Sequence, residues 1–181
     1  MAERDERLTR AEWPAQEALR LHPFYRGKVQ MLPKCPITSD RDFAIRYTPG
    51  VAASCREIQK SPELVYEHTN KANVIAIVSD GSRVLGLGDI GPEAGRPVME
   101  GKALLFKYLG GIDAVPLCVR AQQPDDIVRV VQMIEPSFGG STLRTSPSHN
   151  ASRCSTLCAP NSRSPSGMTI SRARPRSSWP G

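Results

Sequence analysis

Three side chains and one glycine run have types and positions that could do chemistry. Tyr47 stands before a Thr-Pro-Gly turn, Arg83 sits between two apolar stretches, and Lys102 lies on a helical pattern. Taken singly, each has an ordinary reading: a packed aromatic with its hydroxyl at the surface, a charge at a strand edge, and a solvated helix face. Arginine also suits carboxylate recognition through its planar fork. Gly86-Leu87-Gly88-Asp89-Ile90-Gly91 matches the spacing of a dinucleotide fingerprint. A fingerprint needs an acid at the end of the second strand to hold the ribose. Asp113 falls before its strand, and Pro92 and Pro97 disturb the helix start that would receive a pyrophosphate. The favoured reading of the run is a tight glycine turn that packs a strand against a helix, with no cofactor-binding residue assigned.

The elements around these residues follow from periodicity and turn chemistry. Residues 3–21 read as helical, with Pro14 dividing two short helices. Residues 22–40 read as an extended loop, and helices are expected near 51–59 and from Ser61 onward. Asn73–Val78 is a short β-branched run, hence a buried strand, and Arg83–Leu87 is a second strand candidate. Pro97–Leu109 is a helix closed by Gly110-Gly111, with Val98, Leu104, Leu105 and Leu109 sharing a face. Ala114–Val119 is a strand in which Pro116 marks either a sheet edge or an irregular point. Pro124–Ile134 is a helix with Ile127, Val130, Val131 and Ile134 as its apolar stripe. Alternating strands and helices predict an α/β fold: a small, partly parallel sheet flanked by helices.

After Gly140 the pattern changes. Residues 141–181 hold 11 Ser, 5 Pro and 6 Arg, with no Lys, Asp or Glu. The whole net charge of +6 therefore sits there, leaving 18 basic and 18 acidic residues before it. A neutral body without a basic stripe excludes nucleic acid as a partner of the fold. The stretch 141–181 is expected to be a disordered tail, because it cannot bury enough apolar surface to offset its ordering entropy. The two divisions expected are thus 1–140, folded, and 141–181, tail. Five irregularly spaced cysteines suit a reduced thiol inventory and no zinc site. No apolar leader or membrane-spanning run is found, so a cytoplasmic protein is expected.

Five ordered segments carry a resemblance. They are YTPGVA (47–52), SDGSRVLGLGDIG (79–91), VMEGKALLFK (98–107), GGIDAVPLCV (110–119) and EPSFGG (135–140). Together they resemble the N-terminal domain of malic enzymes, nearest the bacterial short-chain type, over roughly residues 20–140. The resemblance implies oxidative decarboxylation of malate to pyruvate and CO₂, with NAD or NADP and with Mg²⁺ or Mn²⁺, in a homo-oligomer. It implies that Tyr47 is the general acid that protonates the enolpyruvate carbon. It makes Lys102 the general base for the malate 2-hydroxyl and Arg83 a malate-carboxylate arginine. It also places the nucleotide fingerprint in a later domain.

In the family the segment after EPSFGG reads like I-N-L-E-D-I, whose acids bind the metal. Here it reads Ser141-Thr142-Leu143-Arg144-Thr145-Ser146. Written as TCA ACC TTG AGG ACA TCG CCA TCC and moved back one base with one A restored, the codons give I-N-L-E-D-I-A-I. The same shift turns Gly167–Arg174 into H-D-D-Q-Q-G-T, the family's second metal segment. The expectation is a one-base deletion just after Gly140. A chain so altered is expected to bind neither metal nor NAD(P) and to be an inactive fragment. The alternative is a non-catalytic assembly module that pairs with full-length subunits.

Overall fold

The computed structural model describes residues 2–145. The expected tail, from residue 146 onward, lies outside them. The order of elements is α1 (Ala2–Tyr25), α2 (Asp40–Arg46), α3 (Val51–Lys60), α4 (Val65–His68), β1 (Val74–Ser79), α5 (Gly91–Gly110), β2 (Asp113–Cys118), α6 (Pro124–Ile134) and β3 (Gly140–Arg144). Among the described residues no helix is long and apolar enough to cross a membrane.

β1 is the centre of a three-stranded sheet ordered β2-β1-β3. Among the described residues both pairings of this small sheet are parallel. Parallel strands need crossovers, and each crossover here is one helix: α5 joins β1 to β2, and α6 joins β2 to β3. Strands buried on both faces carry continuous apolar runs, and β1 (VIAIVS) is one.

Alternation along β1 divides the core in two. Ala76 and Val78 pack against Ile127 and Val131 of α6, with Val130, Ile134, Phe138 and Leu143 around them. Ile77 points the other way, onto Met99 and Ala103 of α5. All these β1 side chains are fully buried, and each face buries roughly 1.5–3 kcal/mol per large aliphatic side chain.

Several expectations need correction. α1 runs through Pro14 as one helix, since a long helix can lose one internal hydrogen bond and continue. α5 starts at Gly91, six residues before the expected start, because Pro92 occupies a first-turn position that needs no amide. Its buried stripe is Gly95, Met99 and Ala103. Val98, Leu104, Leu105 and Leu109, expected to face the core together, are exposed. Arg83–Leu87 is not a strand. A single antiparallel bridge joins Val84 to Gly88, and positive φ at Gly86 (81°) and Gly88 (79°) folds the segment back on itself. β3 crosses the expected boundary at Gly140 and continues to Arg144. Of the two places expected for Pro116, the structure gives the edge strand.

Candidate functional site

In an open parallel sheet, ligands gather at the carboxyl ends of the strands, where successive crossovers leave in opposite directions. Here that point lies at the ends of β1 and β3: the chain leaves β1 over one face with α5 and enters β3 after crossing the other with α6. Two strand ends and one helix meet there.

The ends are fastened by side chains. Ser79, the last residue of β1, donates from Oγ to the carbonyl oxygen of Arg144 (2.8 Å), and Gly81 donates its amide to Ser79 Oγ (3.2 Å). Asp80 closes an Asx turn: its Oδ1 accepts from the amide (3.0 Å) and hydroxyl (2.7 Å) of Ser82. Its Oδ2 accepts from Thr145 Oγ1 (2.8 Å), just beyond β3. Asp80 and Thr145 are both buried. A buried carboxylate is costly unless it is hydrogen-bonded, which explains the hydroxyls arrayed around it.

Lys102 enters from α5. It is half-buried and donates from Nζ to Thr142 Oγ1 at 3.0 Å. Thr142 pairs with Ile77 and Arg144 with Ser79, two positions apart on β3, so both point toward the α5 side of the sheet. Burial, and second the charge of Arg144, push the Lys102 ammonium below its ordinary value. Lys102 and Arg144 thus form a pair of like charges, and neither makes an ion pair among the described residues.

Tyr47 is positioned by a different unit. The Asp42 carboxylate accepts from the Thr38 amide (2.9 Å), the Thr38 hydroxyl (2.9 Å) and the Ser39 amide (3.0 Å), which caps α2 and lowers its proton affinity. α2 ends where the Tyr47 amide donates to the Phe43 carbonyl (2.8 Å), and the Tyr47 carbonyl then accepts from the Val51 amide (2.7 Å) to start α3. A cis peptide joins Thr48 to Pro49. Gly50 sits against the carbonyls of Ala44 and Ile45, leaving no room for a Cβ. The turn is therefore fixed by its backbone, while the Tyr47 ring is 71% exposed.

Arg83 is exposed on the loop between β1 and α5. No hydrogen bond or ion pair among the described residues joins Tyr47, Arg83 and Lys102 to one another. The residues the structure does bring to Lys102 are Thr142 and Arg144, with Asp80 and Thr145 fastening the same strand ends. Their types and local spacing alone predict no role for them. The Ser-Asp-Gly-Ser turn after a buried strand was the available signal for Asp80, and nothing local marked Thr142.

The glycine run is a turn in backbone terms. Gly86, Gly88 and Gly91 all have positive φ, and a Cβ on any of them would meet nothing within 4 Å. Within this loop Gly81 makes the close approach: a Cβ there would overlap the backbone of Gly91, which locks the loop to the start of α5. At that start Asp89 Oδ1 accepts from the Gly91 amide (3.3 Å), and Glu93 lies in the first turn. An arriving pyrophosphate would face these two carboxylates in place of free amides.

A divalent ion such as Mg²⁺ or Mn²⁺ requires several oxygen ligands, carboxylates above all. β3 ends instead in Arg144, with Thr145 just beyond it, and the Asp80 carboxylate is engaged by Ser82 and Thr145. Among the described residues no group of three His, Cys, Asp or Glu side chains could hold a metal ion. The residues present do not fit the ion.

Comparison with known proteins adds the wider context. Residues 26–133 match the family model for the malic enzyme N-terminal domain. The bifunctional malic/malolactic enzyme of Bacillus subtilis is 46% identical over 128 residues, 71% of this chain and 31% of that protein. The NADP-dependent malic enzyme of Escherichia coli is 48% identical over 129 residues, 71% of this chain and 17% of that protein. Among solved structures, the malic enzyme of Pyrococcus horikoshii matches with a TM-score of 0.63 and 53% identity, over 65% of this chain and 27% of that one. The Entamoeba histolytica malic enzyme matches with a TM-score of 0.80 and 35% identity, over 87% of this chain and 34% of that one. The chain thus spans about a third or less of the length of these relatives.

Proposed function

Because the chain belongs to the malic enzyme family, matching its N-terminal domain, we propose that residues 26–145 form the substrate side of a site for oxidative decarboxylation of malate, disabled by what stands at the end of β3. Lys102 carries the reading. A lysine serves as a base near neutral pH only when its proton affinity is lowered, and Lys102 is half-buried with that affinity lowered. In this role its neutral Nζ would accept the proton of the malate 2-hydroxyl, and NAD or NADP, where bound, would supply the hydride acceptor. CO₂ then departs, and the Tyr47 hydroxyl protonates the enolpyruvate carbon. The exposure of Tyr47 leaves its hydroxyl free to reach a bound acid. Arg83, exposed on the glycine loop, is assigned to a malate carboxylate. The Gly86–Gly91 run is a substrate-side turn, and no cofactor-binding residue is assigned to it.

The family's Glu-Asp pair falls opposite Arg144 and Thr145, which cannot supply carboxylates to a divalent ion. We attribute the exchange to a one-base frameshift after Gly140. Reading the DNA across the codon for Gly140 tests this: an uninterrupted frame whose codons do not regenerate I-N-L-E-D-I overturns it. The 181-residue chain is expected to show no turnover with malate, Mn²⁺ and NAD or NADP, and measurable pyruvate formation by the purified chain would refute the reading.

A second reading is favoured by one observation. Leu105, Tyr108 and Leu109 of α5 and Met133 of α6 are exposed, between 58% and 86%. Exposed apolar side chains in such number mark association surfaces. On this reading the chain is an assembly module that pairs with full-length subunits. Co-purification with a full-length malic enzyme subunit, without gain of activity, supports it; recovery of the two as separate species refutes it.

A further inference from the structure

The end of β3 does more than lose a metal site. It exchanges a place for cations for a place that holds two cations of its own. Lys102 Nζ is anchored on Thr142 Oγ1 at 3.0 Å, and Arg144 lies two residues further along the same face of β3, about 6–7 Å on at the usual strand rise. The acid of the cluster, Asp80, is turned away from them by its bonds to Ser82 and Thr145. Two like charges held close without a counter-charge are mutually unfavourable: burial first, and the charge of Arg144 second, lower the proton affinity of Lys102. An anion placed between them relieves that repulsion.

We propose that Lys102 and Arg144 form a metal-independent binding site for a small dicarboxylate. The Arg144 guanidinium takes one carboxylate through its fork, and the Lys102 ammonium meets the other as a point charge. This rests on the reading that Lys102 faces the substrate, but it reverses the charge logic: the ligand is held by protein cations with no bridging ion. Binding is therefore expected to weaken as salt rises and to be indifferent to chelators.

The test is a titration of the 181-residue chain with malonate in EDTA at low ionic strength, followed by backbone and side-chain NMR shifts. Saturable shifts at Thr142, Arg144 and Lys102 are expected. Arg144→Glu should weaken binding roughly tenfold or more, and Arg144→Lys, which keeps the charge but not the fork, should weaken it less than Arg144→Glu does. Far-UV circular dichroism of each variant identifies loss of fold, and Arg144→Gln supplies a neutral substitute if the glutamate variant does not fold. Unchanged malonate binding in the folded glutamate or glutamine variant overturns the proposal, as does binding by the parent chain only when Mn²⁺ is added. Lys102→Met separates this idea from the reading beneath it. If Lys102→Met abolishes binding and Arg144→Glu does not, the two-cation site falls while the substrate role of Lys102 stands. If Lys102→Met has no effect, both fall.

Discussion

The loop after β1 and the strand β3 flank the same site, yet they relate to the rest of the chain in opposite ways. The loop carries SDGSRVLGLGDIG, which resembles the malic enzyme pattern throughout, and its backbone is tightly prescribed: four of its glycines have positive φ and Gly81 abuts Gly91. β3 departs from that pattern in its side chains but still pairs with β1 in register along its whole length. A parallel ladder is built from backbone groups, which every residue but proline supplies. Thr142 is β-branched and suits a strand, and Leu143 reaches the α6 core. Strand formation therefore tolerates a change of sequence that a metal site does not. Fold and chemistry at one place have different sequence requirements.

That contrast can be broken at several points. The largest effect is expected at Gly81→Ala, which combines a positive-φ penalty with overlap against the Gly91 backbone. A loss of about 3 kcal/mol or more is expected in urea unfolding; a loss below about 1 kcal/mol would show that the loop adapts. On the other side, Leu143→Ala removes a partly buried side chain from the α6 core and should cost about 2 kcal/mol, the low end for such truncations. If it costs nothing, β3 does not contribute to the core. Thr145→Val keeps the shape but removes a donor from buried Asp80. A cost of about 1–2 kcal/mol is expected, and a neutral result would mean that the Thr145–Asp80 bond contributes nothing to joining the strand ends.

The smallest effect is a pH slope. The folded-state proton affinity of Lys102 lies below its unfolded value. In the window from the folded value up to the unfolded one, the unfolded chain holds more protons, so stability rises with pH. Below that window the charged Lys102 destabilises the fold by a constant amount. Lys102→Met should flatten this rise, measured as melting temperature against alkaline pH. An unchanged slope would mean that Lys102 is no more constrained in the fold than in the unfolded chain.

Much of this architecture was legible in the residues. The apolar run of β1 and the 3.6-residue stripe of Ile127, Val130, Val131 and Ile134 follow from local pattern, and Pro116 narrows β2 to an edge or an irregular point. The misses have physical causes. Arg83–Leu87 alternates like a strand, but two positive-φ glycines turn it back within four residues. The apolar side chains of α5 suggested one buried face, whereas the small residues Gly95 and Ala103 set the actual contact and left Leu105 and Leu109 outside. β3 was hidden because its strand character comes from β1, a partner far away in sequence. For the site, Lys102 and Tyr47 were singled out only through the combined motifs, and their catalytic roles remain proposals. The cluster of Ser79, Asp80, Thr142 and Thr145 depends on contacts across 40 to 65 residues, which no local window contains.

The central place of β1 has a consequence for how the chain is made. Ser79 bonds to Arg144, 65 residues downstream. A polypeptide emerging from the ribosome presents β1 first, with both its flanks unpaired, and the first neighbour to arrive is β2. Pairing on the other side waits until Gly140–Arg144 has been synthesised and released. Closing such long loops is slow compared with forming local helices, so the most apolar strand of the sheet is the one exposed longest during synthesis. The five residues of β3 thus set the moment at which the nascent sheet becomes whole.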